Sequence, residues 1–240
     1  MKGKEELRCA QFAFKQTIPV MMGYLFLGLA FGLMLQSAGY HFLWAFAASL
    51  FIYAGSMQFV LVTLLTGGAS LFYTAVMTFF INGRQIFYGL SFIKKFNRMG
   101  KYKPYMIFSL TDETYSVLCG VKVPEGMNEN RTLFFIALFD HCYWIAGSVF
   151  GALAGQLITF DSTGIDFSMT ALFTAIVVEQ WQGSKNHLPA VFGAVCGVVS
   201  LLLIGPESFI VPALAGVVAL LMLFRPVIGN GSDKEKEAAV

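Results

Sequence analysis

The chain has 240 residues, of which 57% are hydrophobic and only 12% charged, with a formal net charge of +2 and a mean hydropathy of +0.68. A soluble domain carries about twice that charged fraction, so a soluble globular enzyme, a disordered chain and a nucleic-acid binder are excluded. The apolar runs last about 20 residues, the helical spanning length, rather than the roughly 10 alternating residues of a barrel strand. The fold class expected is therefore all-α, a polytopic helical membrane protein.

Residues 1–17 form a charged arm, expected on the cytoplasmic side. The apolar run from Ile18 to Leu35 follows. It is too long for the apolar core of a signal peptide, and no convincing small-residue cleavage site comes after it. It reads as the first spanning helix, with Pro19 in its first turn, where a missing N–H is harmless. Gly28 and Gly32 form a G-x-x-x-G, which suits close helix contact.

Residues 42–93 contain a single charge, Arg84, and divide at Thr66-Gly67-Gly68-Ala69-Ser70. Lys94, Lys95, Arg98, Lys101 and Lys103 follow. Positive charge marks the cytoplasmic side. By that rule the arm and the 94–103 loop are inside, and the uncharged 37–41 loop is outside. The segment between must cross an odd number of times. The economical solution is that 42–65 enters from outside and returns, and 71–93 crosses inward. The alternative is that 42–65 is a plain spanning helix with a tolerated Gly and the charge rule fails at this loop. Tyr53-Ala54-Gly55-Ser56-Met57-Gln58 lies near the middle of 42–65 and supplies the break. Each arm of such a re-entrant, discontinuous helix pair spans about 16–20 Å, just past the middle of the bilayer. Backbone of this kind is tolerated only inside protein or along a wet cavity.

Residues 105–121 are apolar except for Asp112 and Glu113, and either dip and return or lie at the interface. Residues 132–155 read as a spanning helix that contains Asp140 and His141. Runs at about 168–182, 188–204 and 207–224 complete a transmembrane domain over 18–225. The polar tail at 226–240 reads as disordered and cytoplasmic, so both termini are expected inside. Cys9, Cys119, Cys142 and Cys196 have neither disulfide nor metal-ligand spacing and read as small buried thiols.

An Arg, Lys or Asp at the centre of a membrane helix costs at least about 2.5–3.5 kcal/mol, so each must be compensated. Arg84 lies about 15 Å from the Lys94 end by helical rise, too deep for easy snorkelling. Its fork fits a substrate carboxylate, or an internal acid such as Asp112 or Glu113. One of those acids is a candidate to cap a following helix, and the other to take a proton or an ammonium. The alternative is two acids on a surface helix. Asp140 and His141 are candidates for a proton path or a buried structural pair. Glu179 reads as interfacial. A half-helix starting at Gly55-Ser56 would aim free N–H groups at the membrane middle, an anion site to which Tyr53 and Gln58 add polar contacts.

Ile52-Tyr53-Ala54-Gly55-Ser56-Met57-Gln58-Phe59, Asn82-Gly83-Arg84-Gln85-Ile86-Phe87-Tyr88-Gly89 and Leu110-Thr111-Asp112-Glu113 together resemble the AzlC family, the large subunit of branched-chain amino acid exporters. The similarity covers about residues 10–225. Family members often show Asp-x-Arg-His-x-x-Tyr-Gly in the second string. Here Asn82 and Gln85 replace the Asp and His, while Arg84, Tyr88 and Gly89 remain. The resemblance implies secondary, ion-driven efflux of leucine, isoleucine, valine and sometimes methionine, with a small AzlD-like membrane subunit as partner. No cofactor is implied, and the chain has no G-x-x-x-x-G-K-[ST] loop.

On this reading the carboxylate sits at Tyr53, Gly55, Ser56, Gln58 and Arg84, and Asp112 or Glu113 takes the ammonium or the coupling proton. Rival readings are an uptake or facilitated-diffusion permease for another small solute, and a scaffold subunit that does not transport. A membrane enzyme is disfavoured, because His-Glu-x-x-His and Gly-x-Ser-x-Gly are absent. A homo-oligomer remains open.

Overall fold

The computed structural model describes residues 2–157, 174, 177–178, 181, 187–205 and 209–224, and for Lys2, Arg84, Ile210 and Val211 it describes the backbone alone. Most of the expected run at 168–182, including Glu179, most of the 156–167 loop and the 226–240 tail lie outside the described residues. The chain forms two compact units, residues 1–162 and 163–240.

The first unit contains α1 (Lys2–Ser37), α2 (Phe42–Phe51), α3 (Gly55–Thr66), α4 (Leu71–Phe96), α5 (Lys103–Phe108), α6 (Asp112–Gly120) and α7 (Glu129–Leu157). A single 3₁₀ turn, Gly100–Tyr102, leads into α5. In the second unit α8 (Leu188–Ile204) packs on α9 (Ile210–Leu223), with Gly216 against Cys196. Among the described residues, α1 and α7 are long and apolar enough to cross a membrane, and the shorter apolar helices include α2, α3 and α8. Large apolar side chains stand exposed along these helices and α4, among them Phe26, Phe51, Phe72, Phe87 and Leu202. Water would penalise such a surface, whereas acyl chains match it.

The core of the first unit is the α1–α7 pair. Its contacts advance together along both helices: Cys9 reaches Asn128, Thr17 meets Tyr143, Gly28 touches Gly147 and Gln36 meets Gln156. The two helices therefore run parallel. Gly28 and Gly32 face Gly147, Ser148 and Gly151 so closely that backbone lies on backbone. A Cβ on Gly32 would collide with the Ser148 carbonyl, and one on Gly151 with the Leu29 carbonyl. The anticipated G-x-x-x-G contact is thus met by glycines on the partner helix.

The arm is not separate from the first span. Its Lys, Glu, Leu, Ala and Gln are good helix formers, and Cys9, Ala13 and Thr17 are buried. Pro19 therefore lies inside α1 and not in its first turn, which corrects the expectation. There it removes one intrahelical N–H. The thiols also need correction. Cys9 is buried, but Cys119 and Cys142 are exposed and Cys196 is partly so. On outward faces of membrane helices a thiol is a small lipid-compatible side chain.

One end of the unit gathers the basic segments. Lys95 pairs with Glu129 at 2.9 Å, Asn130 donates to the Arg98 carbonyl, and Arg131 lies 3.5 Å from Glu6. Below them Ala13, Phe92, Phe96, Met106, Leu118 and Leu133 form an apolar cluster that joins α1, α4, α5, α6 and α7. The Gly39 and Gly68 turns both take positive φ.

Candidate functional site

Two helix interruptions build the site. The first lies at Ile52–Ala54, between α2 and α3. The Ile52 and Tyr53 N–H groups both donate to the Ala48 carbonyl, so the ladder skips Ser49. Tyr53 then takes φ +45, a left-handed conformation rare for a bulky residue. Such a residue costs about 1–3 kcal/mol and persists only where its surroundings hold it.

Those surroundings are visible. His141 Nε2 lies 3.0 Å from the Ser49 carbonyl, which accepts its N–H. The His141 Nδ1 therefore accepts from the Tyr105 hydroxyl at 3.0 Å when the ring is neutral. Gln58 is wholly buried and braces the other side of the break. Its Oε1 accepts from the Ala54 N–H at 3.2 Å and from Trp144 Nε1 at 2.9 Å, and its Nε2 donates weakly to Ser49 Oγ at 3.4 Å. Gly55 lets the Trp144 ring approach, since a Cβ there would lie 3.3 Å from it.

The second interruption is at Ser109–Thr111, between α5 and α6. No glycine makes it. Ser109 Oγ bonds back to the Tyr105 carbonyl, and Thr111 caps α6 by accepting from the Thr114 N–H at 3.3 Å. The expectation that Asp112 or Glu113 supplies the cap is corrected. Thr111 is the cap, and the two acids occupy the first turn behind it.

The interruptions meet around Tyr24 of α1. Its ring stands edge-on to Tyr53 and Trp144. Its hydroxyl lies 2.6 Å from Thr111 Oγ1 and 2.7 Å from Glu113 Oε2. Thr111 Oγ1 lies 3.1 Å from Thr114 Oγ1, which lies 2.9 Å from Asp140 Oδ2. Asp140 is wholly buried, its Oδ1 has no donor, and the buried Tyr53 hydroxyl has no hydrogen-bond partner of good geometry, with Thr114 and Tyr24 beside it. Tyr53 also packs on His141, with ring centroids 4.2 Å apart.

Of the residues singled out from sequence, Tyr53, Gln58, Glu113, Asp140 and His141 thus come together, with Gly55, Ser56 and Asp112 half-buried at the two helix starts. Asp140 and His141 join different networks, Asp140 toward α6 and His141 toward α2 and α5. Arg84 lies in α4 one turn before Tyr88, which stacks on Tyr115 of α6 at 4.5 Å. Tyr24, Thr114 and Trp144 were not singled out. A lone tyrosine in an apolar run was the available signal for Tyr24.

The two helix starts differ electrically. A helix N-terminus carries about half a positive charge. α6 answers its own with Thr111, Asp112 and Glu113. α3 has no side-chain N-cap at Ala54 and no acid in its first turn, and Gly55 and Ser56 are partly open. One start can take an anion, and the other presents acids. An open groove of about 720 Å³ beside them is lined by Thr78, Asn82, Gly83, Gln85, Ile86 and Gly89, and Thr78 touches Met57 in the first turn of α3.

Comparison with known proteins gives a consistent picture. A protein of *Bacillus subtilis* (strain 168) named branched-chain amino acid transport protein AzlC is 38% identical, over 89% of this chain and 84% of its own. An uncharacterized membrane protein of *Helicobacter pylori* (strain ATCC 700392 / 26695) is 42% identical, over 92% and 97%. Inner membrane protein YgaZ of *Escherichia coli* (strain K12) is 28% identical, over 85% and 84%. No solved structure matches the chain. The family model described as AzlC protein matches residues 19–158, which contain both helix interruptions, and this helical membrane protein belongs to the AzlC family.

Proposed function

We propose that the protein is a secondary transporter that exports leucine, isoleucine, valine and methionine, coupled to protons. The observation that carries this is the pair of helix starts of opposite character linked through Tyr24, whose ring stands on Tyr53 before α3 and whose hydroxyl bonds Thr111 and Glu113 at the start of α6. A zwitterion has the matching polarity. Its carboxylate binds at the start of α3, with Gly55 and Ser56, the Tyr53 hydroxyl and Arg84, while Gln58 holds the break. Its ammonium faces Asp112 and Glu113. The apolar side chain lies toward the groove along α4.

Two further points support the reading. The *B. subtilis* relative is named for branched-chain amino acid transport. In addition, α2 reaches His141 and Tyr53 reaches Tyr24, while Phe59 of α3 packs on Phe31, farther along α1. α3 therefore runs with α1 away from the break, back toward the end that α2 left. This course of α3 supports our reading of α2–α3 as a re-entrant pair within a bilayer, with the basic end of the unit cytoplasmic. An AzlD-like subunit accompanies the chain.

The test is counterflow of labelled leucine, isoleucine, valine and methionine in proteoliposomes, with the protein alone and co-expressed with an AzlD-like subunit. Wild type exchanges these amino acids. Arg84→Ala inserts but loses exchange. Tyr53→Phe also loses exchange while its stability stays within about 1 kcal/mol, because a buried hydroxyl without a well-formed hydrogen bond adds little. Absence of exchange for all four amino acids under both conditions, or full activity in both variants, overturns the assignment.

A further inference from the structure

Glu113 and Asp140 are joined by an unbroken file of three hydroxyls. From Glu113 Oε2 the steps are 2.7 Å to Tyr24 Oη, 2.6 Å to Thr111 Oγ1, 3.1 Å to Thr114 Oγ1 and 2.9 Å to Asp140 Oδ2. Tyr24 is 3% exposed, Thr111 6%, and Thr114 and Asp140 are wholly buried, so the file is sealed along most of its length. The three hydroxyls come from α1, the α5–α6 break and α6, and Asp140 from α7. Nothing local in the sequence places them in line.

Each hydroxyl in such a file can accept one hydrogen and donate one. Two coherent patterns exist. With the proton on Glu113, every donor points toward Asp140: the Glu113 carboxyl to Tyr24, Tyr24 to Thr111, Thr111 to Thr114, and Thr114 to the Asp140 carboxylate. With the proton on Asp140, every donor points the other way. Moving one hydrogen across each of the four bonds converts one pattern into the other. Glu113 loses a proton, Asp140 gains one, and every hydroxyl is regenerated. The cap is kept throughout, because Thr111 Oγ1 has a second lone pair for the Thr114 N–H.

We propose that Glu113, Tyr24, Thr111, Thr114 and Asp140 form a proton wire, in which one proton is shuttled between the half-buried acid at the start of α6 and the buried acid of α7. His141 is outside this wire, because its two nitrogens hold Tyr105 and the Ser49 carbonyl. The physiological use of the wire rests on the transport reading, in which an ammonium at Glu113 would drive the proton to Asp140. Other ionisable groups facing its two ends are Asp112 on α6, Tyr53 at the α2–α3 break, Tyr105 on α5, and His141 and Tyr143 on α7.

The wire can be tested apart from transport. Infrared difference spectra of the purified protein after a pH step should show a protonated carboxyl band that disappears in Asp140→Asn. That band should shift or change its titration in Glu113→Gln. It should become insensitive to Glu113→Gln once the file is cut by Tyr24→Phe. Thr114→Val should cut it likewise, and Thr114→Ser should restore it. The Thr114 pair carries the test if Tyr24→Phe does not fold. In proteoliposomes, Thr114→Val should keep leucine counterflow and lose accumulation driven by a pH gradient, and Thr114→Ser should keep both. Loss of counterflow in wild type would count against the transport reading alone. An Asp140 band that responds equally to Glu113→Gln in cut and uncut proteins would overturn the wire.

Discussion

Tyr53 and Gln58 occupy the same break and answer to different physics. The Tyr53 hydroxyl is buried without a well-formed hydrogen bond, so its removal costs little folding free energy. Gln58 is the reverse. Its amide satisfies the Ala54 N–H and the Trp144 indole N–H together. Gln58→Leu keeps the volume roughly constant but strands both donors. A stranded buried donor costs about 1–3 kcal/mol, so thermal unfolding in detergent should show a loss of about 2–6 kcal/mol. Gln58→Glu retains an acceptor oxygen for both and should lose less. Equal stability of Gln58→Leu and wild type would mean that the break is held by something else. His141 has the same character, since it accommodates a carbonyl that the skipped ladder bond leaves over.

At the scale of elements, the α1–α7 contact is the least forgiving. Gly32→Val would place a branched side chain where the Ser148 carbonyl lies. Overpacking of backbone on backbone should cost about 3 kcal/mol or more and reduce the yield of monodisperse protein, whereas Gly23→Val, with nothing within 4 Å, should be near neutral. The sequence displays these elements unevenly. The break at 52–54 was legible, because Gly55-Ser56 interrupts an apolar run and the distribution of cations demanded a return. The division at 66–70 was legible from its paired glycines. The break at 109–111 was only half legible: Ser109 and Thr111 act through side-chain bonds to backbone, and hydroxyls within membrane helices more often do not interrupt them. The helical arm was missed because its stability comes from packing of Cys9, Ala13 and Thr17, which no charge count reveals. The hydroxyl file was invisible, because Tyr24 is 87 residues from Thr111 and 89 from Glu113, and Thr114 is 26 from Asp140.

At the scale of the molecule, the basic segments of α1, α4 and α7 share one end, and the proposed re-entrant course of α2–α3 puts the Gly39 and Gly68 turns together on the outer side. In a cysteine-free background, single cysteines at Asn97 and Glu125 should react with an impermeant maleimide only from the cytoplasmic side, and those at Gly39 and Gly68 only from outside. Labelling of position 68 from the cytoplasm would show that α2–α3 crosses instead of returning. The background matters, because Cys119 and Cys142 are exposed on the protein surface.

The seam of apposed glycines also has a mechanical consequence. Main chain locked against main chain along several turns leaves no side-chain cushion that could slide or repack. α1 and α7 are then a stator. Any alternation of access falls to the short helices hung around it, which are joined to the stator by hydrogen bonds at Tyr24, Asp140, His141 and Trp144 that can be exchanged one at a time.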